Sequence, residues 1–290
     1  GALALDAATT ADNNTAIGCY SLGANTSGHS NTGVGFNALV ANTTGINNVG
    51  IGFKSLEANT TGEDNISIGT GTMIANTTGG YNTAVGSDAL DANTTASNNT
   101  AVGYASLGAN TTGENNVAVG RNALLTSTTA SKNTAIGKDA MSTNTTGAEN
   151  TAVGAGAMDA NTTGANNLAL GAFALDANTT ADDNTAVGTA ALTTNTEGYG
   201  NTAVGRNALL SNVTHDKNTA VGFEALKTTI GDGNTAMGYE AMEANSSGTY
   251  NVAIGFRALD ANTTGSNSVA VGSMALSANT DGENNSSVGA

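Results

Sequence analysis

Apolar and polar positions along this chain repeat with a spacing of 17 residues, in the unit Asn-Thr-Ala-Val-Gly-x-x-Ala-Leu-x-Ala-Asn-Thr-Thr-Gly-x-x. Counting the leading Asn as position one, units start at Asn14, Asn31, Asn48, Asn65, Asn82, Asn99, Asn116, Asn133, Asn150, Asn167, Asn184, Asn201, Asn218, Asn234, Asn251, Ser268 and Asn285. The spacing breaks once, between Asn218 and Asn234, where Lys227-Thr228-Thr229-Ile230-Gly231-Asp232-Gly233 is one residue short. Position four is always Val, Ile, Leu or Met, position five always Gly, and position nine always Leu or Met. Positions three, eight and eleven are small, whereas six, seven, ten, sixteen and seventeen vary.

A 17-residue unit is too short for the two helices and two turns of a helical repeat, which need at least about 33 residues. Its Val, Ile and Thr beside fixed Gly and Asn favour short strands and tight turns. Positions two and four share one strand face, with positions three and five on the other. A second short strand is predicted around Ala-Leu-x-Ala, and Asn-Thr-Thr-Gly-x-x forms the wider turn. Gly at position five supplies a positive φ or a close backbone approach. The fold class that follows is all-β: a parallel β-solenoid, or β-roll, of about seventeen 17-residue coils. Like residues then pile over like at the strand spacing, about 4.8 Å, giving a rod of about 80 Å, with Asn columns bonded up and down. Each coil is expected to bury one Val-like and one Leu-like side chain. That is little apolar area for 17 ordered residues, so packing between chains along the rod is expected. Residues 1–290 read as a single repeat array, a segment of a longer fibre.

Composition narrows the function. Lys+Arg number 8 and Asp+Glu 23, a net charge of −15, and this disfavours nucleic acid and anionic lipid surfaces. One Cys excludes an internal disulfide framework. No apolar run approaches the roughly 18 residues of a membrane span, so no membrane insertion is expected of this segment. Catalysis has little foothold: His29 and His215 fall in variable turns, Cys19 sits at a variable position, and Glu63-Asp64 and Asp182-Asp183 occur once each. Neither a calcium-binding nonapeptide nor a phosphate-cradling Gly loop is present. The chain reads as a non-enzyme without cofactor or metal.

Asn251-Val252-Ala253-Ile254-Gly255 and Ser268-Val269-Ala270-Val271-Gly272 resemble the repeats in head domains of trimeric autotransporter adhesins. The longer unit, as in Asn82-Thr83-Ala84-Val85-Gly86-Ser87-Asp88-Ala89-Leu90, resembles repeats of phage tail-fibre proteins. The resemblance implies a homotrimeric, left-handed β-roll outside a cell or on a virion, with attachment as its task. The adhesin unit is shorter and lacks the Asn-Thr-Thr-Gly turn.

Three columns carry candidate chemistry. Position twelve forms the N-glycosylation pattern at Asn25, Asn42, Asn59, Asn76, Asn93, Asn110, Asn144, Asn161, Asn178, Asn212, Asn245 and Asn262. These side chains are expected to reach solvent, either to carry sugar or to serve the turn through left-handed geometry and local bonds. The neighbouring Thr pairs offer O-linked attachment instead. Position six carries Phe36, Phe53, Tyr104, Phe223, Tyr239 and Phe256, an aromatic ladder or a stripe for cell-surface glycans. Thr at position two recurs in ten units, interrupted by Val49, Ile66, Val117, Leu168, Val252 and Val269, so the column reads as semi-buried rather than as an ice-binding array. The expected role is a structural fibre shaft supporting attachment. A glycan-binding adhesin surface and a glycosylated self-assembling filament are the alternatives.

Overall fold

Positions two to four are the only extended stretch of each repeat. In the computed structural model, which describes residues 1–289, each coil contributes one three-residue strand there. The chain forms two compact units, Gly1–Thr146 and Gly147–Ala290. The first holds β1 (Thr15–Ile17), β2 (Thr32–Val34), β3 (Val49–Ile51), β4 (Ile66–Ile68), β5 (Thr83–Val85), β6 (Thr100–Val102), β7 (Val117–Val119) and β8 (Thr134–Ile136). The second holds β9 (Thr151–Val153), β10 (Leu168–Leu170), β11 (Thr185–Val187), β12 (Thr202–Val204), β13 (Thr219–Val221), β14 (Thr235–Met237), β15 (Val252–Ile254), β16 (Val269–Val271) and β17 (Ser286–Val288). Within each unit successive strands pair in parallel, like position on like, as in Thr32↔Val49 and Thr185↔Thr202. Each unit is therefore a parallel β-solenoid with 17-residue coils, and no helix occurs among the described residues.

The interior is narrow. Ala at position three, Ala or Ser at position eight and Leu or Met at position nine point inward and are fully buried, as at Ala84, Ala89 and Leu90. Position four does not join them. Ile51, Ile68 and Ile136 are 37–40% exposed, because residues either side of the inward Ala must face out along a pleated strand. The expectation that each coil buries its Val-like residue is thus corrected: the small Ala fills the narrow core, and the large residue lies outside.

The second strand expected at Ala-Leu-x-Ala is also corrected. That segment is a pair of consecutive turns, closed by bonds such as Ala38 N–H to the Gly35 carbonyl and Val40 N–H to the Asn37 carbonyl. The third residue of each turn has positive φ, as in Asn37 at 55° and Leu39 at 54°, the mark of a type II turn. Position seventeen is left-handed too, for example Asn47 at 58°. Three such residues per coil cost about 1–2 kcal/mol each. They persist because the backbone still bonds from coil to coil through the turns: Leu39 N–H donates to Ser55, Ala41 to Glu57, and Asn37 to Cys19. Gly at position five does both things expected of it. Gly35 has φ +141°, and a Cβ there would collide with the Gly52 carbonyl.

Two columns of buried asparagine complete the core. At position twelve stacked asparagines donate Nδ2 to the Oδ1 one coil earlier, as Asn59 to Asn42 and Asn76 to Asn59, both at 2.9 Å. The same Nδ2 reaches the position-fifteen carbonyl three residues ahead, as Asn76 to Gly79 at 3.0 Å. At position one the side chain spans to the next coil: Asn31 Nδ2 donates to the Gly45 carbonyl at 2.8 Å, and Asn31 Oδ1 accepts from Asn48 N–H at 2.9 Å. The short coil keeps strand register, Thr219 on Thr235, and so places its missing residue in the wide turn. There Thr229 replaces asparagine, and Asn212 Oδ1 and Asn218 Nδ2 are left buried without partners.

Candidate interaction surfaces

The strand face follows from the alternation just described. Position four presents Val34, Ile51, Ile68, Val85, Val102, Val119 and Ile136 in the first unit and Val153, Leu170, Val187, Val204, Val221, Met237, Ile254 and Val271 in the second. Beside them runs the mixed Thr, Val, Ile and Leu column of position two, with Ile66 40% and Leu168 36% exposed. Thr at position two is half-buried at most coils. No charged residue occurs at either position. Contiguous apolar surface of this kind is unusual on a solvated protein and marks contact sites.

The second surface is formed by positions six, seven and ten. Phe36 stacks on Phe53 with centroids 5.6 Å apart and planes 12° from parallel. Phe223 stacks on Tyr239 at 5.2 Å, and Tyr239 on Phe256 at 5.5 Å. Arg206 and Arg257 lie over the Phe223 and Phe256 rings. Rings stacked on one another turn their faces along the column and leave edges to solvent, a poor platform for a sugar ring. Tyr104 stands apart, since its column neighbours are Ser87 and Arg121. Some carboxylates here are paired: Glu57 with Lys54 at 3.1 Å and Glu224 with Lys227 at 2.8 Å. The Lys227 ammonium first, then Asn207, holds the Glu224 carboxyl below its ordinary range. Glu240 pairs with Arg257 and is held low by Tyr239 first and Arg257 second.

The position-twelve asparagines are not where the sequence suggested. Asn25, Asn42, Asn59, Asn76, Asn93, Asn110, Asn144, Asn161, Asn178, Asn212, Asn245 and Asn262 are all 0% exposed. In Asn76, for instance, the Nδ2 that would carry a glycan makes two hydrogen bonds inside the coil. A sugar has no room there once the coil has closed. Nor is left-handed geometry their reason, since positive φ falls at positions seven, nine and seventeen instead. Only the second threonine of the turn, such as Thr44, is exposed. His29 is exposed, and Cys19 half-buried. His215 Nδ1 lies 3.3 Å from Asp232 Oδ1 in the following coil. Tyr81 donates to Glu63 at 3.1 Å, and Asp182 accepts from Ala165 N–H at 2.7 Å. Among the described residues no three His, Cys, Asp or Glu side chains are grouped to hold a metal.

A scan against protein-family models and a search of curated proteins each gave no match to this chain.

Proposed function

We propose that this chain is a structural shaft, not an enzyme: a segment of an extracellular appendage or phage-type tail fibre that supports attachment by projecting whatever it carries. One observation carries the reading. The outward strand face sets an apolar residue at position four beside an uncharged Thr, Ser, Val, Ile or Leu at position two, in the same register, within each unit. Such a face is satisfied by another chain of the same period, whose coils meet it step for step. Covering the remaining exposed part of these side chains is worth about 1 kcal/mol per coil, a sum that grows with the number of coils. The likeness to trimeric autotransporter heads supports three copies in parallel. Interior columns of bonded asparagine favour stiffness, because every coil is tied to the next through side chains as well as backbone.

Sedimentation equilibrium of the purified chain tests this. A mass of three chains at micromolar concentration is expected, falling to one chain when Val187→Glu and Val204→Glu place charges on the strand face. Both variants should keep the parent dichroism spectrum, since these side chains lie outside the core. A single-chain mass for the parent protein overturns the proposal.

A further inference from the structure

The surface of positions six, seven and ten is nearly continuous, and in one coil it is interrupted. Coil 99–115 carries Ala105 at position seven and Gly108 at position ten, where the flanking coils carry Asp88 and Asp91 on one side and Asn122 and Leu125 on the other. Two side chains are in effect missing, leaving a notch of about 530 Å³. That is within the size range of small-ligand sites. Asp88 and Asp91 line one end, Leu125 and Ala109 the other, and the Tyr104 ring forms a wall. Asp91 leans across the gap: a Cβ on Gly108 would lie 3.4 Å from its Oδ1.

Glu57, Glu224 and Glu240, in the same two columns, each have a Lys or Arg partner. Asp88 and Asp91 have none among the described residues. Asp176 and Asp260, at position ten of the same surface, also stand without a Lys or Arg partner among them, so it is the gap between Asp88, Asp91 and Tyr104 together with their charge that marks this notch. Burial first, with the Asp88 charge adding to it, holds the Asp91 carboxyl above its ordinary range. A cation seated there would pair with Asp91 as Lys54 pairs with Glu57. Apolar walls and an exposed ring favour a cation bearing carbon over a bare metal ion, because a ring face attracts ammonium groups and their methylenes. The charge of −15 draws cations in from solution.

We propose that the notch between Asp88, Asp91 and Tyr104 binds an alkylammonium group, the chemistry shared by small free amines and lysine side chains. The carboxylates supply the charge, and Tyr104 and Leu125 enclose the carbon chain. Binding needs ionised carboxylates, so affinity falls as pH drops through the raised Asp91 value.

Isothermal titration calorimetry with butylammonium tests the site, with butanol and galactose as neutral controls. Saturable millimolar binding is expected for the amine and none for the controls. Asp91→Asn and Tyr104→Ala should each weaken it at least about fivefold, with unchanged dichroism spectra. A lysine-containing peptide binding more tightly than butylammonium would assign the site to a protein partner, and equal affinity would assign it to free amines; both support the proposal. Absence of saturable binding, galactose binding instead, or affinity unchanged in a folded Asp91→Asn variant overturns it.

Discussion

Leu39 and Gly35 occupy backbone regions that L-residues resist, and they do so for opposite reasons. Gly35 is needed because any Cβ collides with the next coil. Leu39 tolerates positive φ because its side chain is wholly buried, worth about 2 kcal/mol or more. Gly35→Ala should therefore lower stability by about 3 kcal/mol, through both strain and collision. Ala190, at φ 57° with no buried side chain to hold it there, should behave in reverse. Ala190→Gly relieves about 1 kcal/mol of strain and loses part of that to unfolded-chain entropy, for a net gain of about 0.5 kcal/mol. Thermal unfolding of both variants measures the contrast. A trace of this geometry is in the sequence: position nine accepts Leu and Met but never the Val and Ile that position four accepts freely. β-Branched residues are poorly suited to left-handed φ. Position seventeen hides the same demand, because Tyr81, Lys132 and Tyr250 mask its preference for Asn, Asp and Gly.

At the scale of one coil, the strand, the period, the position-five glycine and the stacked asparagines were legible, since each recurs without exception or nearly so. The second strand was not. Consecutive turns with φ alternating in sign have a two-residue period of their own, which imitates strand alternation in Ala-Leu-x-Ala. The buried column misled for a different reason: Asn-Thr-Thr is ordinary surface-turn chemistry, and nothing local says that the asparagine turns inward. The column has a measurable weight. Asn76 donates to Asn59 and Gly79 and accepts from Asn93. Asn76→Leu strips Asn59 Oδ1 of its donor. It also removes one bond each from the Gly79 carbonyl, which keeps Asn65 Nδ2, and from Asn93 Nδ2, which keeps the Ala96 carbonyl. The orphaned oxygen costs about 1–3 kcal/mol and each lost bond about 1 kcal/mol. Chemical denaturation should show a loss of about 3 kcal/mol or more. A loss under 1 kcal/mol would mean that water replaces the side chain. Of the candidate surfaces, the aromatic columns were legible by spacing alone, whereas the notch was not, because it arises from what Ala105 and Gly108 lack.

For the whole chain, the opposition is between an apolar strand face and a net charge of −15. Parallel copies bring like charges near one another, and salt screens them over about 8–10 Å at physiological strength. Association should therefore tighten as sodium chloride rises from low to physiological concentration, read as sedimentation mass against chain concentration. Weakening with salt would instead indicate ion pairs between chains as the main attraction. The corner that follows position twelve offers something separate. Coil 218–233 loses a residue there while β13 and β14 keep their alignment, so the length of that loop and the pitch of the helix-like winding are uncoupled. A foreign peptide grafted at this corner would be shown to solvent while the strands on either side keep their alignment, provided the position-twelve asparagine is retained, since its replacement by Thr229 leaves Asn212 Oδ1 buried without a partner. An array of this design could in that way carry new recognition loops at chosen levels, with the spacing between them fixed by the scaffold.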